Sequence, residues 1–145
     1  MSAPATLDRA GILARIPHQG RMCLWDAVEG WDATHVCLST LRHREVDHPL
    51  RHHGQFSAVH LCEFGAQGMA VHGGLLAEAG APPRPGRLVA LRDVRLQVAR
   101  IDDLAGPLVG EATLMANGEA SQLYRFRILH AGVEIATGRA TVALL

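Results

Sequence analysis

Glu63 is the residue best placed by its surroundings to do chemistry. It follows Leu61 and Cys62, precedes Phe64 and Ala66, and is the only acid in a long apolar stretch before Glu78. A carboxylate in such a setting loses solvation unless it is paired or protonated. Gln67, four residues on, shares its helical face and suggests a bland role, a buried Glu–Gln pair tying helix to sheet. The sharper expectation is a general acid whose proton is held by an apolar site.

A histidine-rich loop lies upstream, Asp47-His48-Pro49-Leu50-Arg51-His52-His53-Gly54, with His60 beyond it. Such a loop can aim side chains at a helix start, where free N–H groups and the dipole favour negative charge. His48 is the candidate base. His60, three residues before Glu63, competes with it, while His52 and His53 read as solvated loop. His72 falls half a turn round the helix from Glu63 and reads as a hydrogen-bonded core residue. A metal site from His48, His52, His53 and His60 lacks a compact ligand signature, so no metal is expected. Cys62 is a poor nucleophile in an apolar helix. No phosphate loop, nucleophile elbow or dinucleotide fingerprint occurs, and no cofactor is expected.

The elements that must position these residues follow from pattern. From Phe56 to about Ala79 there is no proline and no polar face, which predicts one helix buried on all sides. Gly65, Gly68, Gly73 and Gly74 each weaken a helix by about 1 kcal/mol relative to alanine, so a closely packed layer should need them. A short helix is expected over Leu7–Ile16, an extended segment from Met22 to Trp25, and a strand over His35–Leu41. The Gly80–Gly86 breaker ends the long helix. Strands follow around Val94–Val98, Leu108–Ala116, Gln122–Leu129 and Val133–Leu144, with turns at Asn117-Gly118 and His130-Ala131-Gly132. An antiparallel meander wrapped on one helix is an α+β arrangement of the hot-dog type, expected as a single domain over residues 1–145. One sheet leaves a helix flank open, which predicts a dimer.

Composition bounds the remaining classes. The 145 residues suit one domain, and 48% hydrophobic against 19% charged residues is a globular balance. Net charge is zero and every basic side chain other than histidine is arginine, so neither nucleic acid nor an anionic membrane is expected as a partner. Three cysteines without a C-x-x-C pair read as reduced thiols. Asp8 and Arg9 interrupt the start of the chain before an apolar run forms, so a cytoplasmic location is expected.

Several stretches also resemble a known family. Ile16-Pro17-His18, Met22 to Asp26 and Val28 resemble the "LPH…fLLvDrV" opening of bacterial 3-hydroxyacyl-acyl-carrier-protein dehydratases. Glu63-Phe64-Gly65-Ala66-Gln67 is similar to their "E-A-x-A-Q" helix, and Leu88 to Leu96 to the strand after it. A divergent branch from aryl-polyene-type biosynthetic clusters is closer still, through Ile16 to Asp26, His48-Pro49-Leu50-Arg51 and Glu63 to Gly73. The resemblance implies a hot-dog fold and dehydration of a 3-hydroxyacyl thioester, carried on acyl carrier protein or CoA, to a trans-2-enoyl thioester. It implies His48 as catalytic histidine and Glu63 as catalytic acid, drawn from different subunits of a dimer, with the backbone N–H of Ala58 polarising the thioester carbonyl. The Asp47-His48-Pro49-Leu50 loop lacks the family's Phe-Pro step, and its interval to Glu63 is one residue longer, so its path should differ. Two rival functions follow: a hot-dog thioesterase, and a non-catalytic subunit that binds acyl chains or completes a partner's site. A hetero-dimer with another hot-dog protein is the corresponding assembly. Arg84, Arg87, Arg92, Arg95 and Arg100 form a candidate docking edge for an acidic carrier protein, or simply a solvated strand face.

Overall fold

The structure is a computed structural model that describes residues 6–78 and 86–145. A first helix, α1 (Arg9–Leu13), is shorter than its pattern suggested. Asp8 caps it by accepting the Gly11 N–H at 2.9 Å. Of the expected extended segment from Met22 to Trp25, Met22 instead closes a 3₁₀ turn at Gly20–Met22, and the residues from the extended Cys23 to Trp25 join no strand. Strand pairing begins later, with β1 (Ala27–Trp31) and β2 (His35–Thr40). Asp26, just before β1, binds this corner together by accepting from Thr40 Oγ1, the Leu41 N–H and Arg42 Nε at 2.8–2.9 Å.

The long helix α2 runs over Leu61–Glu78 and is entered through a 3₁₀ turn at Ala58–His60, whose N-cap is Ser57. Ala79 and the breaker residues 80–85, Arg84 among them, lie outside the described residues. The remaining strands are β3 (Gly86–Leu96), β4 (Leu108–Asn117), β5 (Ser121–His130) and β6 (Val133–Leu144). All pair antiparallel in the order β1-β2-β4-β5-β6-β3. The β5–β6 turn uses Ala131 and Gly132, both at positive φ, as a tight hairpin requires.

One face of this sheet wraps α2. Trp25, Phe64, Phe126, Leu38, Leu61 and Ile128 are fully buried between them. Close approach explains two of the four helix glycines. A Cβ on Gly65 would strike the Phe126 ring, and one on Gly74 would lie 2.7 Å from the Arg15 carbonyl. Gly73 faces open space, contrary to the expectation that all four are packing glycines. The expected burial on all sides also fails on one flank. Glu63 and Gly73 are exposed and Ala66, Ala70 and Ala77 are half-buried, because no described element lies over them.

Strand β3 is the other open surface. It lies at the sheet edge, and ten of its eleven residues are exposed. Leu88, Val89, Leu91, Val94 and Leu96 are each 38–56% exposed along that edge.

Candidate active site

The open flank of α2 borders a cleft of about 1000 Å³ between the helix, the α1 corner and the β3–β6–β5 side of the sheet. Ala66, Ala70, Gly73, Gly74 and Ala77 form its helical wall. Their small side chains leave the groove in which longer ones would have filled the space. Glu63 stands in the lining of the same cleft and is the one acid there among the described residues.

Glu63 is 48% exposed in the single chain. Its apolar sequence neighbours do not enclose it, because successive helical residues point about 100° apart. The single chain therefore does not supply the desolvation expected from sequence. Its carboxylate Oε1 is 2.9 Å from His60 Nδ1. Gln67 does not bond Glu63, which corrects the sequence reading. Its amide spans to the extended segment instead, accepting the Leu24 N–H at 2.6 Å and donating to the Met22 carbonyl at 2.8 Å. Those backbone groups have no strand partner, so a buried Gln67 satisfies them.

His48 is 4% exposed and packs on Phe56, ring centroids 4.6 Å apart. Burial, reinforced by the Arg21, Arg51 and Arg42 guanidinium groups, pushes its pKa down to about 4. The ring is therefore neutral near pH 7, as a base must be. Its Nδ1 accepts the Leu50 N–H at 3.1 Å, which assigns the ring proton to Nε2, and that atom has no partner. No hydrogen bond or ring contact joins His48 to Glu63 among the described residues. Phe56 and His60 stand between them, and Phe56 also contacts the His60 ring at 5.7 Å.

The Ala58 N–H, expected as a free donor, is occupied. It donates to the Ala99 carbonyl at 3.0 Å, tying the helix entrance to the segment after β3. Side-chain type gave no sign of this, since the bond is made by backbone alone. His52 and His53 are exposed, and Arg51 serves the loop by donating to the Gly54 and His43 carbonyls. His72 is fully buried, as expected of a core residue. Its Nε2 donates to the Asp32 carbonyl at 2.9 Å and its Nδ1 accepts from the Tyr124 hydroxyl at 2.7 Å. Burial pushes the Cys62 thiol up, and the Glu63 charge adds to this, so it is not an activated nucleophile. No cluster of three His, Cys, Asp or Glu suited to a metal ion occurs among the described residues. No described helix is long and apolar enough to cross a membrane.

Two contributors escaped the sequence reading. Phe56, at the mouth of the helix, braces both His48 and His60; its position between a histidine loop and a histidine turn was the available signal. Asp102 holds the Phe56 N–H at 2.8 Å, and its ion pair with Arg100 keeps its carboxyl well below the usual range.

Comparison with known proteins places this geometry. No curated protein matches the chain by sequence. Among solved structures it is similar to "The Dehydratase Heterocomplex ApeI:P from Xenorhabdus doucetiae", with a TM-score of 0.79 and 24% identity over 92% of this chain and 90% of that one. S. sahachiroi AziG gives a TM-score of 0.61 at 16% identity, covering 81% and 89% of the two chains. A hypothetical thioesterase with coenzyme A from Streptococcus pneumoniae TIGR4 gives 0.58 at 17%, covering 81% and 84%. These likenesses establish the hot-dog fold. Residues 11–144 match the ApeP-like family, described as ApeP dehydratase, so nearly the whole chain is accounted for and the chain belongs to that family of hot-dog dehydratases.

Proposed function

We propose that the protein dehydrates a 3-hydroxyacyl thioester to the trans-2-enoyl thioester, with Glu63 as acid and His48 as base. The observation that carries this reading is the position of Glu63, the one acidic side chain among the described residues that line a mainly apolar cleft of about 1000 Å³. In the reaction the base removes the proton α to the thioester carbonyl, and that electron pair forms the C2=C3 bond. The C3–O bond breaks with its pair on oxygen, and the oxygen takes a proton from Glu63 and leaves as water. His48 suits the base role by remaining neutral. To accept a proton at Nε2 its ring must carry its own proton on Nδ1, giving up the Leu50 bond seen here. With the Ala58 N–H committed to Ala99, a carbonyl-polarising donor there requires that bond to open as well.

The open β3 edge supports assembly with a second hot-dog chain. The eleven-residue, largely apolar β3 pairs with β6 on one side only, and its open side forms a template for pairing. The Xenorhabdus doucetiae structure was solved as a heterocomplex, which favours a hot-dog partner, either a second copy or a different chain. Such a partner would also cover the cleft and desolvate Glu63. An acyl carrier protein as substrate bearer is supported by charge. Arg92, Arg139 and Arg125 stand opposite one another on β3, β6 and β5, and Asp93, 3.9 Å from Arg139 Nε, offsets only part of that charge. Like charges in that arrangement destabilise a sheet, and an acidic partner offsets the repulsion.

The thioesterase alternative rests on fold relatives alone. The test offers a 3-hydroxyacyl carrier thioester and a saturated acyl thioester side by side. Formation of the enoyl thioester without release of free thiol supports the dehydratase; thiol release from the saturated substrate contradicts it.

A further inference from the structure

The partner recorded for Glu63 is His60, and the contact is built rather than incidental. His60 and Glu63 are three residues apart at the helix entrance, so their side chains share a face. The His60 ring stands edge-on to Phe56 at an interplanar angle of 71°. Phe56 is itself immobilised, with its side chain fully buried, its N–H bonded to Asp102 and its carbonyl accepting the Ile101 N–H at 2.9 Å. A fixed wall thus holds His60, and His60 holds a glutamate whose side chain would otherwise sample several rotamers beside solvent. Restricting such a chain carries an entropic cost that a standing hydrogen bond meets in advance.

From this geometry we infer that His60 is a positioning residue for Glu63, holding Oε1 so that Oε2 addresses the cleft, and that the two side chains handle protons as one unit. The inference rests on the dehydratase reading. With His60 neutral, its Nδ1–H donates to the carboxylate. A proton arriving at Nε2 gives an imidazolium–carboxylate pair, whose Nδ1 proton can pass to Oε1. Glu63 is then recharged for the next departing hydroxyl once rotation of its carboxyl turns that proton toward the cleft. Arg15 and His18 line the same cleft as Glu63, Cys62 adjoins it on α2, and His48 lies behind Phe56 within reach of the His60 charge.

The test compares His60→Leu with His60→Asn in the assembled enzyme. Asparagine keeps a donor at the place of Nδ1 but cannot take up a proton. His60→Leu should lower kcat about tenfold or more with little change in KM. His60→Asn should recover most of kcat at acidic pH, with the descending limb of its kcat profile moved to lower pH than in the wild type. Wild-type kcat in His60→Leu, or equal losses in both variants with an unmoved limb, would overturn the assignment alone. Absence of turnover by the wild-type assembly would overturn the dehydratase reading and the assignment with it.

Discussion

Glu63 and His48 differ in nearly every respect that matters for proton transfer. Glu63 faces a cleft and solvent, whereas His48 is sealed under Phe56 with an unpartnered Nε2. An unsatisfied buried donor costs on the order of 1–3 kcal/mol, so the site stores a demand for a partner at that atom. Substitution should separate the two roles. Glu63→Gln keeps size and hydrogen bonding but not the transferable proton, and should lower kcat by roughly 10²–10⁴ while thermal stability stays close to wild type. His48→Gln should lose turnover to a similar degree, measured with the same substrate. Glu63 stands out in sequence as a lone acid in an apolar helix, and the structure sets it in the lining of the cleft. Its exposure was not, because the residues that flank it in sequence point away from it in space. The Gln67 role was equally hidden: nothing in its type distinguishes bonding to Glu63 from bonding to the backbone of Met22 and Leu24.

At the scale of elements, α2 is held by contacts that substitutions can probe individually. Gln67→Leu would strand the Leu24 N–H and the Met22 carbonyl, so about 2–4 kcal/mol should be lost in the unfolding free energy from urea titration. Gly65→Val would drive a side chain into the Phe126 ring and should cost about 3 kcal/mol by the same measurement, with Gly73→Ala tolerated because Gly73 faces open space. The existence and order of the helix and most of the strands were legible, since the pattern changes from all-round apolar to alternating after the Pro-rich breaker. The full reach of β3 was not. An alternating strand reads alike in the middle of a sheet and at its edge, and only the β6–β3 pairing shows which it is. The segment expected to be extended from Met22 begins one residue later, since Met22 closes a 3₁₀ turn, and it stays unpaired because Gln67 takes the bonds a neighbouring strand would have made.

At the scale of the whole molecule, two surfaces remain unfinished: the β3 edge and the cleft flank of α2. Both would be covered by one partner chain laid along β3. Val89→Lys with Leu91→Lys should therefore lower the mass measured by analytical ultracentrifugation while leaving the far-ultraviolet circular dichroism unchanged. An unchanged mass would place the interface elsewhere. Acid stability is also a property of the whole fold. Burial lowers the pKa of His48, His43 and His72, so each is neutral when folded and takes up a proton when unfolded below about pH 6.5. The unfolded state then binds more protons, and stability falls as pH drops from about 6.5 toward the folded value of about 4 for His48. His48 should contribute a slope of up to about 1.4 kcal/mol per pH unit in that window, measured by urea unfolding, with His43 and His72 acting in the same direction. His48→Gln should flatten the slope.

The central claim is that Glu63 gives the proton that removes the 3-hydroxyl. It is tested most directly by single-turnover conversion of a 3-hydroxyacyl carrier thioester by the wild-type protein and by Glu63→Gln, each with and without a second hot-dog chain. The account expects the conjugated enoyl thioester from wild type and a loss of at least about a hundredfold in the variant. Equal rates for the two proteins would contradict it.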